Sequence, residues 1–194
     1  MHPELWPNGV VPYVVQDDLP ALHQVEEAIK EWNSADAGVQ LVRRTDEEDH
    51  VVFVAGDTCS SRRGRTGGPQ EITLTPDCRA GVVMHEVGHA VGLAHEHNRP
   101  DRDDYLEQVC LENIYPQALS NFQVRPGDDP EPTTYDFDSI MHYSQMAFSR
   151  NRGRTLAPRA DTVPPDTLIG QRHTLSAGDL ARLRAMYGAA PAAS

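Results

Sequence analysis

Apolar positions recur along this chain at two different periods, and the change of period marks its organisation. Pro7-Asn8-Gly9 reads as a turn. The run Val10-Val11-Pro12-Tyr13-Val14-Val15 after it predicts a strand with proline at its edge. Leu22, Val25, Ala28, Ile29 and Trp32 fall on one stripe of a helix over 22–32. Residues 39–42 and 51–54 read as strands on either side of an acidic, solvated turn at 46–49. A loop rich in Gly, Ser and Arg fills 56–69, and the alternating segment 71–75 predicts another strand. Gly81-Val82-Val83-Met84 with Val87, Ala90 and Val91 returns to helical spacing and predicts a buried helix. Beyond residue 98 the character changes: 99–194 holds 9 of the 15 prolines and little strand signal. Residues 102–115 are a short helical candidate, 126–132 and 158–165 read as loops, and 177–187 predicts a terminal helix with Leu180, Leu183 and Tyr187 on one stripe. The expected architecture is one domain over 1–194, with an N-terminal subdomain of about 1–98 and a C-terminal one of about 99–194 facing it across a cleft.

The second predicted helix carries the chemistry. His85 and His89, four residues apart, project from one face, one above the other. Glu86 lies beside that face. Gly92 stops the helix by taking a left-handed conformation at little strain, which lets His95 return as a third ligand. Three neutral imidazoles suit zinc and leave a position for water. Zinc lowers the pKa of bound water from ~15.7 toward ~7, and Glu86 is placed to take the proton and pass it to a leaving amine. Two histidines at this spacing would be compatible with ordinary helix packing; Glu86, Gly92 and His95 in place make the extended motif far more specific. Downstream, Ser139-Ile140-Met141-His142-Tyr143 offers a methionine that gives a three-histidine site an apolar floor.

With these two elements the chain resembles the metzincin zinc endopeptidases and, within them, the astacin family. Glu96 directly after the third histidine, Arg99 and Asp101 following it, and Tyr143 two residues after Met141 carry the resemblance. It implies an α+β, two-lobed zincin-like fold, with a twisted, mostly parallel sheet and two long helices followed by a largely irregular lobe that ends in a helix. It implies one zinc per chain held by His85, His89 and His95, with Tyr143 as a fifth, displaceable ligand that helps hold the oxyanion. Met141 and Glu96 would be supporting residues. The strand at 71–75 would be the edge that pairs with an extended substrate. Cys59–Cys78 would match the family's shorter disulfide, whereas the longer one has no counterpart; Cys110 is an extra, read as a small buried hydrophobe. Ile169-Gly170-Gln171-Arg172 resembles the segment lining the pocket for the residue after the scissile bond. Arg172 would favour Asp or Glu there through bidentate bonds, or else it is a surface arginine. Glu96 in relatives contacts the mature N-terminus; with the chain beginning a few residues before Trp6, that contact is in doubt here.

Charge narrows the classes of partner. The net charge of −12, from 17 basic and 29 acidic residues, argues against nucleic acid. No run of ~18 apolar residues suggests a membrane span, and no leader segment is visible at the start. The expected partners are protein or peptide substrates bound extended along the cleft, acted on by a monomer in the extracellular space. Lys30 is the only lysine, an arginine bias that suits a bacterial source. The rival readings are an inactive peptide-binding module with a structural zinc, against which Glu86 argues, and a metzincin of another family, against which Glu96 and 139–143 argue. His2, His23, His50, His97, His142 and His173 are read as structural or surface groups.

Overall fold

The computed structural model describes residues 3–125 and 133–188. Its sheet contains Val10–Val15 (β1), Gln40–Arg43 (β2), His50–Ala55 (β3), Ser60–Ser61 (β4) and Pro69–Leu74 (β5), in the order β2-β1-β3-β5-β4. All neighbours are parallel except β4, which runs antiparallel to β5. A parallel pair needs a crossover, and Leu22–Ser34 (α1) supplies it between β1 and β2. Val25, Ala28, Ile29 and Trp32 form its buried stripe, while Leu22 at the helix start stays 42% exposed. Ala80–Ala90 (α2) follows β5 and packs against α1. The fold is α+β, as the resemblance implies.

Two strand readings are corrected. β1 lies inside the sheet, not with its proline at an edge. Pairing with β3 begins only at Tyr13, so the missing N–H of Pro12 falls outside that ladder. The sheet edge beside the α2 side of the molecule is β4, not 71–75: Ser60 and Ser61 pair with Thr73 and Ile72 and cover that strand. Two serines are too short a run to announce themselves by alternation.

The C-terminal half departs further from its pattern. Residues 102–115 do not form a helix; they form 3₁₀ turns at Arg102–Asp104 and Leu111–Asn113 around a strand, Leu106–Val109 (β6). β6 pairs antiparallel with Leu156–Pro158 (β7), so Pro158 ends a strand and does not open a loop. Leu106, Ile114, Phe122, Tyr135, Phe137 and Leu156 are buried together as a second core. The partner of β6 lies some fifty residues downstream, and no local period can report such a pairing. The loop expected at 126–132 lies outside the described residues. Ala177–Tyr187 (α3) forms as expected, with Leu183 fully buried and Leu180 and Tyr187 packed beside the first core. Cys59 and Cys78 are bridged, and Cys110 is free and half-buried.

The 139–143 turn joins the two cores. Ile140 and Met141 belong to the one built on the sheet, and Tyr143 packs against the other.

Candidate metal centre

α2 ends in a Schellman motif: Leu93 N–H donates to the Gly88 carbonyl at 2.9 Å, Gly92 N–H donates to the His89 carbonyl at 2.9 Å, and Gly92 has φ +107°. That reversal sends residues 93–95 back across the helix and brings His95 to the two helix histidines. His95 Nε2 lies 3.2 Å from His85 Nε2 and 3.1 Å from His89 Nε2. Two ligands at ~2.0–2.1 Å on a tetrahedral zinc would stand about 3.3 Å apart, so the three nitrogens fit that ion.

The second nitrogens show why they face inward as lone pairs. His85 Nδ1 meets the Ile140 carbonyl at 2.8 Å and His89 Nδ1 meets the Leu93 carbonyl at 3.0 Å. A carbonyl only accepts, so each Nδ1 carries the proton and each Nε2 is free to ligate. Burial pushes His85 and His95 well below the ordinary histidine range and His89 down to about 4, which keeps all three neutral near pH 7. Among the described residues these three histidines form the cluster able to hold a metal.

Glu86 is buried beside them at 6% exposure, and burial pushes its carboxyl up to about 7 against the opposing charge of Arg172. Met141 is fully buried, and a Cβ on Gly88 would stand 2.7 Å from its sulfur, so the turn packs directly on α2. The Tyr143 ring lies 4.7 Å from that of His95 and stacks on His97 at 4.0 Å, 24° from parallel. Burial pushes its hydroxyl up to about 12. Arg172 is half-buried; its Nη1 donates to the His142 carbonyl at 2.9 Å and to the Gln171 carbonyl at 2.7 Å. The first of these bonds ties its guanidinium to the 139–143 turn, and its positive charge opposes the upward shifts of the Glu86 and Tyr143 groups.

Glu96 is fully buried and meets two arginines. Oε1 accepts from Arg99 Nη1 at 3.2 Å and from the Asp136 N–H at 2.8 Å, and Oε2 is 2.8 Å from Arg182 Nη1. Arg99 also forms a two-pronged pair with Asp101 at 2.9 and 2.7 Å. Burial still raises the Glu96 carboxyl above its ordinary value, with the arginines opposing.

Sequence reasoning missed two residues around this centre, while His97, read as a structural or surface group, is a buried ring stacked on Tyr143. Arg182 on α3 reaches Glu96. Asp179, also on α3, is fully buried against the 139–141 segment. The last had a local signal: Ser176 and Asp179 have capping-box spacing.

A buried helix bearing two histidines, a third from the following turn, an adjacent carboxylate and a methionine turn below define a metallopeptidase-type centre. The chain belongs to the astacin peptidase family, whose profile matches residues 2–188. Similar proteins include Bone morphogenetic protein 1 of Xenopus laevis, 39% identical over 191 residues that cover 94% of this chain and 27% of that one. Tolloid-like protein 2 of Mus musculus is 40% identical, covering 94% of this chain and 19% of the other. The chain thus spans about a fifth to a quarter of the length of these curated relatives. Among solved structures, High choriolytic enzyme 1, a hatching enzyme zinc-protease from medaka (Oryzias latipes), superposes with a TM-score of 0.84 at 34% identity, covering 97% of this chain and 94% of that one.

Proposed function

We propose that the chain is a zinc endopeptidase domain that hydrolyses internal peptide bonds of proteins bound extended along its cleft. The observation that carries this reading is the convergence of His85, His89 and His95 Nε2 atoms with the Glu86 carboxyl buried beside them. His85, His89 and His95 would hold a zinc ion, which would supply Lewis acidity toward a carbonyl and acidify a bound water. Glu86, buried beside the three histidines, would take a proton from the attacking water and deliver it to the leaving amine. Tyr143, stacked on His97 next to His95, would be a displaceable further ligand to such a metal, and its hydroxyl is a donor within reach of a developing oxyanion. Met141 supports the site from below, and Glu96, balanced by Arg99 and Arg182, anchors the segment after His95.

Arg172 sets a preference for Asp or Glu after the scissile bond. Two carbonyls hold its Nη1, which fixes the guanidinium while its other nitrogens remain to bind a carboxylate. Profiling a peptide library against wild type and Arg172→Ala tests this; an unchanged acidic preference overturns it. We also take the chain as a single domain with subdomains meeting near residue 98, acting as a monomer. The Cys59–Cys78 bridge favours an oxidising, extracellular setting. No helix among the described residues is long and apolar enough to cross a membrane. The net charge of −12 disfavours a nucleic-acid partner.

Cleavage of casein or gelatin, with bound metal measured by elemental analysis, tests the main reading. One zinc per chain and cleavage abolished by a chelator are expected. A fully zinc-loaded protein without proteolysis would favour instead a peptide-binding module with a structural metal.

A further inference from the structure

Asp179 touches none of the three histidines, yet it is fully buried and its carboxylate is bonded on both oxygens. Part of this is ordinary helix capping. Asp179 N–H donates to Ser176 Oγ at 3.0 Å, and Ser176 N–H donates to Asp179 Oδ2 at 3.0 Å, which closes a capping box at the start of α3. The remaining bonds leave the helix. Ser139 Oγ donates to Oδ1 at 2.6 Å and Ile140 N–H donates to Oδ2 at 2.9 Å. Ser139 Oγ in turn accepts the Met141 N–H at 3.0 Å. The peptide so held presents the Ile140 carbonyl to His85 Nδ1 at 2.8 Å.

We propose that Asp179 is a positioning residue for the metal centre: by gripping Ser139 and Ile140 it fixes the carbonyl that sets the orientation and tautomer of His85. The proposal rests on the reading of His85 as a zinc ligand. Every group facing this carboxylate is a donor: one hydroxyl and two peptide N–H groups. An acceptor-only side chain satisfies all three at once, whereas an amide in its place would turn its own N–H₂ toward a buried donor. A capping role alone would be met by an exposed residue and would not require bonds to a second element. Partners that orient a ligating histidine tune the metal it holds, and their loss weakens binding by about 10–100-fold.

The test measures zinc affinity of the full chain by competition with a chelator of known strength. It uses wild type, Asp179→Asn and Ser176→Ala, with melting temperature and the visible spectrum of the cobalt(II) form recorded alongside. Asp179→Asn is expected to lose about 10-fold or more in zinc affinity and to shift the cobalt bands. Ser176→Ala removes the side-chain half of the cap and the Ser176 bond to Asp136 but leaves both Asp179 bonds to the turn. It should lower the melting temperature while keeping affinity within about twofold of wild type. Equal affinity losses in the two variants, or an Asp179→Asn protein with wild-type affinity and spectrum, would overturn the proposal. Should Asp179→Asn fail to fold, Ser139→Ala removes one of the two gripping bonds and is expected to weaken zinc several-fold; unaltered binding would count against the proposal. A wild-type chain that binds no zinc at all refutes the functional reading itself and not this link.

Discussion

At the scale of single residues, the centre depends on groups held away from their usual ionisation. Glu86 must be ionised to accept a proton, and burial sets its carboxyl at about 7; a bound cation moves it lower. Activity should therefore rise with pH along an acid limb lying at or below about 7. A pH profile of kcat/KM checks this, and activity that falls as pH rises toward about 7 would remove Glu86 from the base role. If Tyr143 donates to the oxyanion as proposed, Tyr143→Phe removes that donor and keeps the ring stacked on His97. The expected loss is about 10²-fold, in kcat more than in KM, with zinc content unchanged. The convergence of His85, His89 and His95, with Glu86 beside them, was legible in the sequence because the spacing is local: one helix and one glycine turn bring them together. Tyr143 was reached only through resemblance. Arg182 was not reached, since its partner Glu96 is set by tertiary packing and not by any nearby period.

At the scale of elements, α2 and the 139–143 turn work as one unit. Gly88 is the contact point. A methyl group there would press on the Met141 sulfur inside a filled core, so Gly88→Ala should destabilise the protein by about 1–3 kcal/mol. Urea unfolding checks the value, and an unchanged midpoint would mean that the turn does not rest on the helix. Both long helices and the four parallel strands were visible, the helices from a period of 3.6 and the strands from short apolar runs or, at 71–75, from alternation. What escaped was set by partners distant in sequence. β4 is two serines whose identity as a strand comes only from β5. β6 looks locally like part of a helix and becomes a strand because β7 lies alongside and shared burial of Leu106 and Leu156 rewards the pairing.

At the scale of the whole molecule, the three-histidine centre lies where two cores meet. The Cys59–Cys78 bridge closes a loop of 19 residues between β4 and the entry to α2. Replacing both cysteines by serine should cost about 3 kcal/mol, read as a lower denaturation midpoint that equals that of reduced wild type. α3, though last in sequence, returns to brace the 139–141 segment through Asp179 and to meet Glu96 through Arg182. The central claim remains that Glu86, not the metal alone, performs the proton transfer of peptide hydrolysis at His85, His89 and His95. It is tested most directly by the turnover of a peptide substrate by Glu86→Ala loaded with one zinc per chain. The account predicts a fall in kcat of about 10²–10⁴-fold with zinc retained; turnover near that of wild type would contradict it.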